Sequence, residues 1–128
     1  MTTDKFIKFA IFFAVTAVAL GALEAHALKE VLTESQLHSF ETGVRYQLFH
    51  ALALLVLALN AKKFNQYLKR SLTLMAAGIC CFSFSIYLLS IQEAVAISLS
   101  FLGPITPIGG LLLISAWLVL FFSIKKQG

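Results

Sequence analysis

Residues 71–91 read SLTLMAAGICCFSFSIYLLSI, and none of them is charged. A helix needs about 20 apolar residues to cross the hydrocarbon core of a bilayer, and this stretch is long enough. Its two cysteines, Cys80 and Cys81, are adjacent and are the only ones in the chain. Lying inside an apolar run, they argue against a disulfide framework and against a zinc site. They read as two small apolar helix residues, with a vicinal redox pair as the alternative. Lys69 and Arg70 stand just before the run and Glu93 just after it.

The rest of the chain repeats this pattern. Residues 6–27 form one apolar run long enough to span. Residues 46–61 are uncharged but slightly short. They reach span length only by taking in 41–45, which places Glu41 and Arg45 at a membrane interface. No charge follows Glu93 until Lys125. That interval is too long for one span, and Gly103-Pro104-Ile105-Thr106-Pro107 divides it. Threonine is a good N-cap and proline a favoured first helical residue, so Thr106 is expected as cap and Pro107 as the start of a fourth helix. Residues 94–102 become a short apolar segment at the outer surface. They could instead extend the third helix or re-enter the bundle. The expected fold is all-α: a bundle of four transmembrane helices at about 6–27, 41–61, 71–91 and 106–124, forming one domain over 1–128.

Composition points the same way. The chain is 59% hydrophobic and 12% charged, where a soluble domain carries about 25% charged residues. So small a globule cannot hide that much apolar surface, and lipid is the second solvent. The net charge of +4 does not imply nucleic acid, because the basic residues form short clusters between long uncharged runs. Lys5 and Lys8, then Lys62, Lys63, Lys69 and Arg70, then Lys125 and Lys126 all fall on one side of a four-span chain. That side is expected to be the cytoplasm, with both termini. Lys29 and Arg45 lie on the other side with Glu24, Glu30, Glu34, Glu41 and Glu93. The first run also resembles a signal peptide, with Ala25-His26-Ala27 in the small-x-small cleavage form. Its length and the three spans that follow favour a retained helix.

An α-helix turns about 100° per residue, which assigns faces. Ala10, Ala14, Ala17 and Gly21 make a small-residue stripe on helix one, suited to close packing against neighbours. Phe9, Phe12, Leu20 and Leu23 suit lipid, and Glu24 lies at the stripe's edge. On helix two, Gly43, Tyr46, Gln47, His50 and Ala53 share a face expected to point into the bundle. Leu48, Leu52, Leu55, Val56 and Leu59 point the other way. Glu41 and Arg45, four apart, are expected to pair.

His50 lies more than a turn inside its span. An ionisable residue there raises a functional hypothesis: proton relay, metal or haem ligand, or part of a substrate path. The structural alternative is a neutral imidazole bonded to a backbone carbonyl or to Tyr46. His26 and His38 lie in the outer loop region. Histidines without regular spacing are a weak metal signal, and no metal or other cofactor is expected. There is no Ser/His/Asp arrangement and no phosphate-binding glycine loop.

Three segments carry a family resemblance. Gly21-Ala22-Leu23-Glu24-Ala25-His26-Ala27-Leu28-Lys29 resembles a Gly-Ala-x-Gly-Ala-His-x-Leu motif. Phe40 to Ala53, FETGVRYQLFHALA, resembles Thr-x-x-x-Tyr-Gln-x-x-His-Ala-Leu-Ala. Leu102 to Gly110, LGPITPIGG, resembles Gly-x-x-x-Pro-x-Gly-Gly. In this order they are similar to the domain-of-unknown-function 423 family, also called uncharacterised protein family 0382, of small bacterial inner-membrane proteins. The resemblance implies four spans, a retained first helix and no established enzyme activity. His26, Tyr46, Gln47, His50 and Pro107 match the motifs, whereas Glu24 and Ala27 stand where glycine is expected.

The leading expectation is a non-enzymatic inner-membrane protein, a scaffold or accessory subunit that packs against lipid, a membrane-protein partner or a second copy. A small transporter or channel component with a polar path around His50 is the second reading. A metal or haem protein using His26 and His50 is the third.

Overall fold

The computed structural model describes residues 2–126. Four helices are long and apolar enough to cross a membrane. Helix one is Thr3–Ala25 and helix two is Glu34–Leu59. Helix three, Leu68–Ile91, is α-helical over Leu68–Ile79, widens into a π-helical turn over Cys80–Phe84 and returns to α over Ser85–Ile91. Helix four is Ile105–Phe121.

Helix two starts earlier than the charges at 41–45 suggested. Thr33 and Gln36 form a capping box: Thr33 Oγ1 accepts the Gln36 backbone N–H at 3.2 Å, and Gln36 Oε1 accepts the Thr33 N–H at 2.9 Å. These bonds satisfy two amides that a helix start would otherwise leave orphaned. Helix two therefore carries a charged first third, where Arg45 bonds Glu41 at 3.0 Å, and the spanning part begins below that pair. The Gln36 amide N–H also donates to Glu93 at 3.0 Å, tying this start to the end of helix three.

Helix four also begins differently. Pro104 occupies the N-cap position and Pro107 is the third helical residue. Proline is tolerated there because first-turn amides have no helical partner. Thr106 does not cap the helix. Its hydroxyl bonds Ser85 Oγ at 2.6 Å. Residues 94–102 neither extend helix three, which ends at Ile91, nor re-enter the bundle. They form an exposed connection with a left-handed residue, Ala96 (φ 57°), and a 3₁₀ turn over Ser100–Leu102. The Gln92 side chain holds it by accepting the Leu99 N–H at 2.9 Å.

The core draws on every helix: Phe6, Ala10 and Phe13 from the first, Ala51, Leu54 and Ala58 from the second, Leu72, Met75 and Ile79 from the third, Leu113 and Ala116 from the fourth. Helix one packs mainly on helix two, and helix four on helix three. Helices two and three thus form a central pair flanked by the other two. Ala10 and Ala17 of the small stripe are buried, with Phe6 and Phe13 beside them, while Phe9, Phe12 and Leu23 are exposed.

At the basic end of the bundle the loop after helix two pairs with the chain beyond helix four. The Asn65 N–H donates to Ser123 O at 2.7 Å and the Lys125 N–H to Lys63 O at 3.2 Å, making a single antiparallel bridge between Phe64 and Ile124.

Candidate functional site

Gln47 and His50 of helix two point into the bundle. Gln47 is fully buried, and each part of its amide is used. Nε2 donates to Phe13 O at 2.8 Å and to Thr16 Oγ1 at 2.6 Å. Oε1 accepts the Tyr87 hydroxyl at 2.6 Å. Thr16 in turn donates to Phe12 O at 2.9 Å. One glutamine thereby links helices one, two and three. Hydrocarbon offers no water to replace such bonds, so a buried amide must be satisfied by protein.

His50, 8% exposed, sits one turn deeper. Nδ1 lies 2.7 Å from Tyr46 O, and Nε2 accepts the indole N–H of Trp117 at 3.0 Å. A carbonyl can only accept and an indole N–H can only donate. The ring is therefore the neutral tautomer protonated at Nδ1, and both nitrogens are engaged. A proton or metal at Nε2 would have to displace Trp117.

Tyr46 departs from the expected facing. It is 41% exposed, with its ring against Phe82 (centroids 4.7 Å apart) and stacked towards His50 (6.1 Å). The physical reason is depth. Tyr46 follows the exposed Arg45, and a tyrosine at the level of an interfacial charge can solvate its hydroxyl outside the bundle while its ring packs on protein. Gly43, Gln47 and His50 do face inward, but the buried stripe continues through Ala51, Leu54 and Ala58. Ala53 is half-buried, and Leu52, Val56 and Leu59 are exposed.

His26 caps the end of helix one, exposed, its backbone N–H on Leu23 O at 3.3 Å. Gly21 is level with Val44 of helix two, so His26 lies farther out and His50 deeper. The structure does not bring the two histidines together. Among the described residues no three His, Cys, Asp or Glu side chains gather as a metal set would. Glu24 is half-buried.

The third motif makes its closest approach at Gly109. A Cβ there would overlap the Phe82 amide nitrogen and stand 2.7 Å from Phe82 Cα and 2.8 Å from the Cys81 carbonyl carbon. The π turn is what presents this backbone. It widens helix three at Cys80–Phe84, and helix four lays its bare Gly109 backbone against the bulge. Hydroxyls surround the contact. Thr106 donates to Ser85 Oγ, Ser85 to Cys81 O at 2.5 Å, and Ser83 to Gly43 O at 2.8 Å. Farther in, Ser71 donates to Ala116 O at 2.7 Å. Thr16, Ser83, Ser85, Tyr87 and Trp117 all join these ties, although motif spacing did not single them out.

Four apolar helices joined by short connections, with a polar cluster tying them together, define a small multi-pass membrane protein. A model of the family described as "Protein of unknown function (DUF423)" matches residues 20–110, and the chain belongs to that family. It is 39% identical over 117 residues to the UPF0382 membrane protein YwdK of Bacillus subtilis (strain 168), covering 88% of this chain and 89% of that one. It is 34% identical to a UPF0382 membrane protein of Haemophilus influenzae, covering 97% and 96%. It is 30% identical to the UPF0382 inner membrane protein YgdD of Escherichia coli (strain K12), covering 100% and 97%. No solved structure matches.

Proposed function

We propose that this protein is a non-enzymatic scaffold or accessory subunit of a bacterial inner membrane, working through its outer surface against another membrane protein or a second copy. The closed polar interior carries the reading. Among the described residues every buried side-chain nitrogen and oxygen has a hydrogen-bond partner. Gln47 and His50 hold helices together with all their polar atoms, which leaves little for chemistry or for a polar path. Helix four meanwhile exposes Leu111, Ile114, Leu118 and Phe121 along its outward side. The inner-membrane placement rests on the printed name of the Escherichia coli relative.

Photoreactive residues replacing Ile114 and Leu118, activated in native membranes, test the contact. A discrete protein adduct is expected, together with a His50→Gln variant that folds and keeps any cellular phenotype of the gene. Lipid adducts alone, or a folded His50→Gln protein that loses the phenotype, would overturn the reading.

The basic end is proposed to face the cytoplasm, with both termini, by the excess of Lys and Arg there. With Cys80 and Cys81 replaced by serine, Gln36→Cys should react with an impermeant reagent in intact cells and Gln66→Cys should not. The opposite pattern would mean an inverted protein.

A further inference from the structure

We propose that the basic end of the bundle holds anionic phospholipid, with a headgroup phosphate against Lys69 and Arg70 at the start of helix three, another against Lys5 and Lys8 at the start of helix one, and acyl chains on the apolar side chains beside each pair. The argument starts from charge. Eight of the ten basic residues gather at this end, and Asp4 is the only acid there. Among the described residues the one ion pair, Arg45–Glu41, is at the opposite end. The four cations are exposed, and among the described residues no carboxylate lies within ion-pair distance of them. Arg70 lies over the Tyr67 ring, 5.5 Å from its centre, a cation–π contact that involves no carboxylate.

Shape supplies the second part. A cleft of about 240 Å³ opens between the start of helix one and the start of helix three. Thr3, Gln66 and Lys69 line it, closed below by the buried Phe6, Leu68 and Leu72. On another face of helix one, Lys5 and Lys8 border a groove floored by Phe9 and Phe12. On the other flank, Lys69 and Arg70 border a third, with Thr73 and Leu74. Each surface sets a cation one or two turns from apolar side chains that continue towards the membrane. A phospholipid has that layout: phosphate at the interface, acyl chain below. A soluble anion would use only the cations and leave the exposed Phe9 and Phe12 rings uncovered. Basic pockets between transmembrane helices are known to suit anionic headgroups, and each cation near such a surface favours them about fivefold.

Native mass spectrometry of the detergent-purified protein is the test, with phosphatidylglycerol, cardiolipin and phosphatidylcholine added in equal amounts. The wild type should retain the two anionic lipids in preference to phosphatidylcholine. The Lys5→Gln/Lys8→Gln and Lys69→Gln/Arg70→Gln pairs should each lower the preference at their own groove about 25-fold, at about fivefold per cation, whereas Lys29→Gln at the opposite end should leave it unchanged. Glycerophosphoglycerol, which has the headgroup but no acyl chains, should not displace the bound lipid. If the Arg70 change perturbs folding, Lys69→Gln alone is expected to lower the preference about fivefold. Equal retention of all three lipids, an equal effect of Lys29→Gln, or displacement by glycerophosphoglycerol would overturn the proposal.

Discussion

Gly109→Ala is expected to destabilise the bundle by about 3 kcal/mol, the upper part of the usual range for overpacking. The added methyl meets backbone rather than a flexible side chain: the Phe82 amide and Cα and the Cys81 carbonyl carbon. Backbone inside a helix cannot step aside, so helix four must move off the π turn. That movement would strain the Thr106–Ser85 bond and separate Leu113 from Gly78, whose own Cβ position lies 2.6 Å from a Leu113 methyl. The neighbouring glycine is the control. A Cβ at Gly110 would stand 3.9 Å from the Phe82 ring, ordinary contact, so Gly110→Ala should be near neutral. Equilibrium unfolding in mixed micelles reads both. If the two substitutions cost the same, the close approach at Gly109 is not what packs helix four.

Gln47→Leu should cost about 2 kcal/mol. Interhelical hydrogen bonds in membranes average about 0.6 kcal/mol each, and this side chain makes three, two to helix one and one to Tyr87. Tyr87→Phe alone should cost about 0.6 kcal/mol by the same measure. The pair should be less than additive, because Gln47→Leu has already removed the acceptor that Tyr87 uses. The same unfolding measurement on the two single variants and the double variant supplies the cycle. Strict additivity would show that Tyr87 and Gln47 are not coupled. A Gln47→Leu protein as stable as the wild type would show that the glutamine does not tie the three helices.

The spans were legible because hydrocarbon imposes a length and excludes charge, and both leave marks in a single sequence. Helix ends were harder. Charges at Glu41 and Arg45 suggested a boundary inside helix two, but a helix can continue past the membrane when something satisfies its first amides. Thr33 and Gln36, spaced as a capping box, are the residues that do so. At helix four, proline and threonine were read by their usual capping roles, whereas Thr106 is taken by a tertiary bond to Ser85. Facing followed polarity for Gln47 and His50 and failed for Tyr46, because a phenol near the interface has a second way to be solvated. The partners of the buried polar groups were not legible. Ser83, Ser85, Tyr87 and Trp117 are ordinary members of apolar runs until another helix is placed beside them. Just beyond the π turn Ser85 is buried too, about 100° off the buried face that a uniform wheel draws from Leu68 to Ile79.

The π turn also makes helix three unequal in its tolerance of changes in chain length. Deleting one residue from an α-helical stretch rotates everything beyond it by about 100°, which would carry Tyr87 away from Gln47 and Ser90 out of the bundle. Cys80–Phe84 is wound with one residue more per hydrogen-bonded turn than its α-helical flanks. A deletion there removes the surplus and lets the turn close to α, with both flanks keeping their facing. What it removes is the bulge on which Gly109 rests. Length variation within this span therefore has one place to occur without turning the outer half, and a chain lacking the extra residue would have room at the helix three–helix four contact for a side chain larger than glycine.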